Sequence, residues 1–183
     1  MKVSTGSLKY KNVYSIKKNG LRPTSLKVRQ AIFNILIHRF DWREWAYNSV
    51  IFEPFAGTGI ISVESISRGI FKASLIEKDR DVFLNLKRNI ENLNLCKQVN
   101  LFNQDFLSFN NKEKAYKLIF LDPPYKDNIL NLSIEKIYDE KIACKKSIIV
   151  CESQKNYRYN NTLYGSKVLS KIYGKSEITF FKR

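Results

Sequence analysis

Ser49-Val50-Ile51-Phe52-Glu53-Pro54-Phe55-Ala56-Gly57-Thr58-Gly59 is the stretch on which the fold turns. A short apolar run, residues 49–53, ends in an acid. It then passes through two closely spaced glycines into residues 58–68, a helix-forming segment that Gly69 closes from the position after its end. Outward from this strand–turn–helix unit the theme repeats. Residues 73–77 read as a strand, and Asp79 caps a helix running to about residue 93, with Val82, Leu86, Ile90 and Leu93 on one face. Residues 99–103 and 117–122 are further strands, 128–138 a helix and 147–152 a fifth strand. Two β-rich segments, 157–168 and 170–181, close the chain as an antiparallel pair. Strands that alternate with helices imply a doubly wound α/β sheet. The expected fold is therefore a Rossmann-like, seven-stranded, mostly parallel sheet with an antiparallel C-terminal strand pair.

Upstream, residues 1–21 are polar and basic, with Tyr10 and Tyr14 interleaved, and read as a mobile arm or a short hairpin. Pro23 starts a new element. Thr24 or Ser25 caps a helix whose apolar positions are Val28, Ile32, Ile35 and Leu36. Residues 41–48 read as a loop in which Trp42 and Trp45 serve packing. The expected division is a basic arm or hairpin, 1–21, and a catalytic domain, 22–183.

In a doubly wound sheet the ligand lies outside the carboxyl ends of the strands. Gly57 and Gly59 sit at such an end, although two glycines alone fit a tight turn equally well. Glu77, twenty residues beyond Gly57, ends the second strand, where a carboxylate accepts from ribose hydroxyls. The dinucleotide fingerprint requires a third glycine three residues after the second, and Ser62 stands there. The site thus suits a nucleoside without a pyrophosphate. S-adenosylmethionine, with a positive sulfonium and no phosphate, has that shape. Asp105 follows the third strand, placed to accept from an adenine amino group with Phe106 against the ring; read alone, it is a turn residue.

Leu118-Ile119-Phe120-Leu121 runs directly into Asp122-Pro123-Pro124-Tyr125. Two prolines remove two backbone donors and fix φ, so the Asp122 side chain and the Pro123 carbonyl can point together into a site. An exocyclic base amine is a poor nucleophile because its lone pair is delocalised into the ring. Two acceptors on its hydrogens localise that pair, and the amine can attack a sulfonium methyl in line. Positioning and electrostatics then supply most of the rate. Tyr125 offers a face for stacking an extruded base. Cytosine C5 chemistry would require a cysteine nucleophile nearby, and Cys96, Cys144 and Cys151 are not adjacent to this motif in sequence.

Charge narrows the partner. The chain of 183 residues holds 32 Lys plus Arg against 17 Asp plus Glu, a net charge of +15. Between Met1 and Phe40 there are nine basic residues, Lys9, Lys11, Lys17, Lys18, Arg22 and Arg29 among them, and no acid. A front end this one-sided fits phosphate contacts. The same excess also fits a lysine-rich composition with no partner. The cysteines form no C-x-x-C pair, so neither a metal site nor a redox motif is indicated. No apolar run reaches membrane-spanning length and the N-terminus lacks a secretory h-region; a cytoplasmic protein is expected, with no membrane partner and nothing that demands more than a monomer.

These motifs together resemble the RsmD family, bacterial methyltransferases that modify guanine N2 in small-subunit ribosomal RNA. Arg22-Pro23-Thr24 followed by Val28-Arg29-Gln30-Ala31-Ile32-Phe33-Asn34-Ile35-Leu36 is similar to its R-P-T…V-R-E-x-[LI]-F-N-x-L signature. Phe55-Ala56-Gly57-Thr58-Gly59, the segment from Val63 to Gly69, and Ile76-Glu77-Lys78-Asp79 resemble its cofactor motifs. Asp122-Pro123-Pro124-Tyr125 is shared with many amino-group methyltransferases, so it marks the chemistry rather than the substrate. The resemblance implies S-adenosyl-L-methionine as donor and a guanine of 16S rRNA as acceptor, in the small ribosomal subunit or an assembly intermediate. It implies cofactor contacts at Glu53, Phe55, Ala56, Gly57, Gly59, Glu77, Lys78, Asp105 and Phe106. It also implies RNA contacts or site organisation at Arg22, Thr24 and Arg29. Two departures stand out. Glu53-Pro54 replaces the usual D-x before F-A-G, and the N-terminal stretch is lysine-rich where the family's is rich in arginine and glycine. Glu152 resembles a family acid without an evident role. Adenine-N6 methylation of DNA or RNA and a catalytically silent RNA-binding or assembly protein are the competing readings.

Overall fold

The computed structural model describes residues 1–18, 24–110, 116–125, 128–160 and 166–183. Seven strands form one sheet in the order β3-β2-β1-β4-β5-β7-β6. They are β1 Val50–Glu53, β2 Lys72–Ile76, β3 Val99–Phe102, β4 Tyr116–Leu121, β5 Ala143–Gln154, β6 Ser166–Tyr173 and β7 Ser176–Lys182. The first five run parallel, and β7 lies antiparallel to both β5 and β6. Helices α1 Leu26–Arg39, α2 Trp42–Trp45, α3 Ile60–Ser67, α4 Arg80–Asn92 and α5 Ile129–Asp139, with 3₁₀ turns at Ala46–Asn48 and Phe106–Ser108, complete the described elements.

The alternating side chains of the strands feed two cores. Ile51, Leu75, Leu118, Phe120 and Val150 pack toward α1, α3 and α4 through Phe33, Leu36, Ile61, Leu86 and Ile90. Phe52, Ile119, Leu121 and Ile149 face the other way, against Leu130, Ile134 and Ile137 of α5. Central strands covered on both faces are what parallel sheets require. Ser25 is the N-cap of α1, its hydroxyl accepting from the Val28 N–H, and Asp79 caps α4 by accepting from the Asp81 and Val82 N–H groups.

Three expectations change in detail. Residues 41–48 carry a short helix, α2, and a 3₁₀ turn, in which Trp42 is buried and its indole N–H donates to the Arg68 carbonyl at 3.0 Å. Strand β5 is longer than the expected 147–152. The C-terminal pair is Ser166–Tyr173 and Ser176–Lys182, so its turn falls at 174–175 rather than near 169, and residues 157–160 lie outside the ladder, where Tyr157 packs edge to face on Tyr159 and Tyr159 on Phe181.

The N-terminus folds back as a hairpin with an antiparallel bridge between Lys2 and Asn12. Val3 and Val13 are buried in the same core as α1 and α3. Gly6, at φ +86°, passes so close to α3 that a Cβ there would lie 1.7 Å from the Ser67 carbonyl oxygen. Further along, the Tyr14 carbonyl accepts from the side-chain amides of Asn85 and Asn89 on α4. No helix among the described residues is long and apolar enough to cross a membrane.

Candidate active site

Strand order reverses between β1 and β4, so the loops leaving them diverge and open a crevice. A cleft of about 800 Å³ lies there, over the carboxyl ends of β1, β2, β4 and β5. Each strand delivers an acid to it, or to the turn just beyond it.

From β1 comes Glu53, 3% exposed, whose carboxyl accepts from the Ser62 N–H at 3.0 Å and from the Ser62 hydroxyl. Burial pushes its pKa up to about 8, the Ser62 hydrogen bonds opposing and the Glu77 charge assisting. From β2 comes Glu77, half-buried, accepting from the Gly57 N–H at 2.9 Å and the Asp79 N–H at 2.8 Å. Burial raises its pKa as well, against those backbone donors. Each of its oxygens retains capacity for a further hydrogen bond. Beyond β3, Asp105 pairs with the exposed Lys78 at 2.6 Å, which holds its carboxyl below the usual range. Phe106 is 1% exposed and packs edge to face on Phe52 and Phe55, so it forms the floor of the cleft.

The Asp122-Pro123-Pro124-Tyr125 turn leaves β4. Leu121 is in register with Cys151 on β5, so Asp122, just past the end of β4, is a neighbour of Glu152 on the adjacent strand, which runs on to Gln154. Burial, then the Glu152 charge, then the Glu53 charge push the Asp122 pKa well above the usual carboxylate range. Pro123 is buried, Pro124 and Tyr125 are exposed, and the Tyr125 hydroxyl lies 3.1 Å from the Ser176 hydroxyl on β7. Thr24, just before α1, hydrogen-bonds Glu152 at 3.4 Å. Among the described residues no group of three or more His, Cys, Asp or Glu could hold a metal ion.

The structure gathers Glu53, Phe55, Ala56, Gly57, Glu77, Lys78, Asp105, Phe106, the β4 tetrapeptide, Thr24 and Lys18 along this one cleft. Gly59 is not on its wall. Gly59 is at φ +76°, and a Cβ there would come within 2.5 Å of Leu86 and 3.2 Å of Leu75, so helix–sheet packing alone demands a glycine at this position. Lys9, Lys11 and Lys17 are exposed and lie outside the cleft, while Lys18 is tied to Asp79 and Asp81 at its rim. Arg22 lies outside the described residues. Arg29 corrects the expectation of RNA contact. It is 2% exposed, its guanidinium donates to the carbonyls of Thr24 and Lys2 and pairs with Glu64 at 3.5 Å, and no face of it is left for a phosphate.

Sequence reasoning left Glu152 without a role and missed Ser176, since both depend on which strands become neighbours. It set Cys151 aside because it is distant in sequence; in space it sits beside Leu121. The thiol is nevertheless completely buried, its pKa pushed up by burial, and it does not reach the cleft.

The cleft fits a nucleoside that carries positive charge. A buried carboxyl, Glu53, ends β1 and a half-buried one, Glu77, follows β2 beside Gly57, and nothing in this loop assembles a phosphate cradle backed by a lysine or arginine. Comparisons agree. A structure described as an RNA methyltransferase from Salinibacter ruber in complex with S-adenosyl-L-homocysteine superposes with a TM-score of 0.64 at 14% identity, covering 88% of this chain and 93% of that one. A putative methyltransferase from Escherichia coli superposes at 0.85 with 22% identity over 100% of this chain and 97% of that one. In sequence, the Ribosomal RNA small subunit methyltransferase D of Buchnera aphidicola subsp. Acyrthosiphon pisum is 29% identical over 93% of this chain and 88% of its own length. The family model described as conserved hypothetical protein 95 matches residues 1–182. With its fold, its cleft and this match over nearly every residue, the chain belongs to the RsmD family of S-adenosylmethionine-dependent methyltransferases.

Proposed function

We propose that this chain transfers a methyl group from S-adenosylmethionine to the exocyclic N2 amine of a guanine in small-subunit (16S) ribosomal RNA. The RNA is free or held in the small subunit or an assembly intermediate, and the enzyme acts as a monomer in the cytoplasm. The observation that carries this is the Asp122-Pro123 turn at the switch point of the sheet, one strand from Glu53 and its glycine loop. The relative's name adds the substrate.

On this reading the residues divide the work. Glu77 takes the ribose hydroxyls, Asp105 the adenine amine and Glu53 the methionine end, over the Phe55 and Phe106 rings. Lys78 holds Asp105 in place through their ion pair. The donor supplies an electrophilic methyl on a sulfonium. A positive charge bound among Glu53, Asp122 and Glu152 favours their ionised forms. Asp122 and the Pro123 carbonyl then accept the two amine hydrogens. As the nitrogen lone pair forms the new N–C bond and the C–S pair leaves with sulfur, Asp122 takes the proton that the nitrogen sheds. Its raised proton affinity suits that task. Tyr125, half-exposed, stacks the extruded base for about 1–3 kcal/mol. Lys9, Lys11 and Lys17 hold phosphates, and Arg29 organises the site from behind. Base readout of this kind needs an unstacked nucleotide.

The test is to incubate the protein with labelled donor and small ribosomal subunits, free rRNA or DNA, and to map the modified base by mass spectrometry. Label at a guanine N2 of small-subunit rRNA is expected. Label only in DNA, or on adenine, overturns the proposal, and absence of donor binding by calorimetry supports a silent RNA-binding protein instead.

A further inference from the structure

Two cavities meet at the β4 turn. Besides the large cleft, a second cavity of about 110 Å³ lies between the start of α5 and the end of β5, lined by Pro123, Tyr125, Asn128, Gln154 and Tyr157 among others. Glu152 lines both cavities and is only 7% exposed. Burying a carboxylate is costly, and this one is built in. Thr24 hydrogen-bonds it, the Thr24 carbonyl is held by Arg29 at 2.9 Å, and Arg29 is paired with Glu64 on α3. A chain of fixed groups therefore runs from α3 to a single carboxyl beside Asp122.

We propose that Glu152 is a specificity-determining residue, accepting the N1–H of the guanine whose N2 amine lies on Asp122 and Pro123. This rests on the guanine-N2 reading above. Guanine presents N1–H and N2–H side by side on one edge, and both are donors. Asp122, the first residue past β4, and Glu152, next to the β5 residue in register with Leu121, both line the large cleft on neighbouring strands about 4.8 Å apart, and so present two acceptors to one edge. Adenine presents a bare ring nitrogen beside its amine. That lone pair would face the Glu152 carboxylate with no hydrogen between them, and a site whose polar partner is left unpaired rejects the wrong ligand strongly. The same contact turns the guanine ring so that its N2, and no other atom, meets the donor.

The experiment compares two small-subunit rRNA substrates that differ at the target base alone. One carries guanine. The other carries 2,6-diaminopurine, which keeps the N2 amine but has a bare N1. The wild-type chain is expected to favour guanine in kcat/KM by about tenfold to a hundredfold, as befits one hydrogen bond to a charged group. Glu152→Gln keeps the size and the Thr24 contact, and its amide can donate to a bare N1. In that variant the preference is expected to fall to within about threefold of unity, a double-difference that isolates the residue. Thr24→Val, which frees the carboxylate from its support, is expected to lower the preference part of the way and carries the test if Glu152→Gln does not fold. Equal use of both RNAs by the wild type, or an unchanged preference in the variants, overturns this inference while leaving guanine-N2 methylation standing. Failure to methylate the N2 amine of either RNA overturns both.

Discussion

Replacing Glu53 by Gln should change how the stability of this protein depends on pH. In the fold, the Glu53 carboxyl is buried and titrates near 8, against about 4.5 when the chain is unfolded. Between those values the folded state holds a proton that the unfolded state has lost. Stability then falls as pH rises, by about 1.4 kcal/mol per pH unit, because the unfolded state binds fewer protons. The sign is the reverse of that for an ion-paired carboxylate, whose contribution is lost on acidification. From pH 5.5 to 7.5 the single group should cost about 3 kcal/mol. Gln keeps an acceptor for the Ser62 N–H and does not titrate. Urea unfolding of both proteins at several pH values gives the difference in unfolding free energy, in which most other titrations cancel. That difference, wild type minus variant, should fall by about 3 kcal/mol over the window. A difference that stays flat refutes the reasoning, since it would mean that Glu53 is already ionised in the empty cleft.

Two further outcomes are expected. Asp122→Ala should abolish methyl transfer while leaving donor affinity within about tenfold, because Asp122 acts on the acceptor amine; calorimetry and a single-turnover assay separate the two, and persisting activity would remove Asp122 from its role. Changing Lys9, Lys11 and Lys17 together to Gln should flatten the fall of log RNA affinity with log salt by about 1 per lost phosphate contact, measured by filter binding; an unchanged slope would place the phosphate clamp elsewhere.

Much of the fold was legible because its signals are local. Each strand-to-loop junction carries its own punctuation: Glu53 before the glycines, Glu77 before the Asp79 cap, Asp122 before two prolines. In an open parallel sheet such junctions all end at the same edge, so placing them in one cleft needed only the strand–helix alternation. Which of its two expected roles Arg29 plays was not legible, because an isolated helix gives an arginine beside Val28 no reason to be buried; Glu64 and the carbonyls that hold it come from other parts of the chain. Glu152 was opaque for a related reason. Its meaning depends on the register that sets Cys151 against Leu121 and on Thr24, which is 128 residues away. Gly59 was half-read, since a glycine needed by a ligand and one needed by a neighbouring helix look alike in sequence.

The clamp at Glu64 sets what the N-terminal hairpin can do. Glu64 accepts from the Ser4 N–H at 2.9 Å and the Ser4 hydroxyl at 3.0 Å, while Arg68 grips both Ser4 and Glu64. The loop bearing Lys9 and Lys11 is thus bolted to the body that carries Asp122. A tethered, fluctuating segment would lose freedom on meeting RNA, whereas this one was ordered when the chain folded. It also keeps a constant separation from the cleft. On the proposed reading the protein then works as a ruler: a phosphate seated on the hairpin fixes, by span alone, which nucleotide can arrive at the reacting turn.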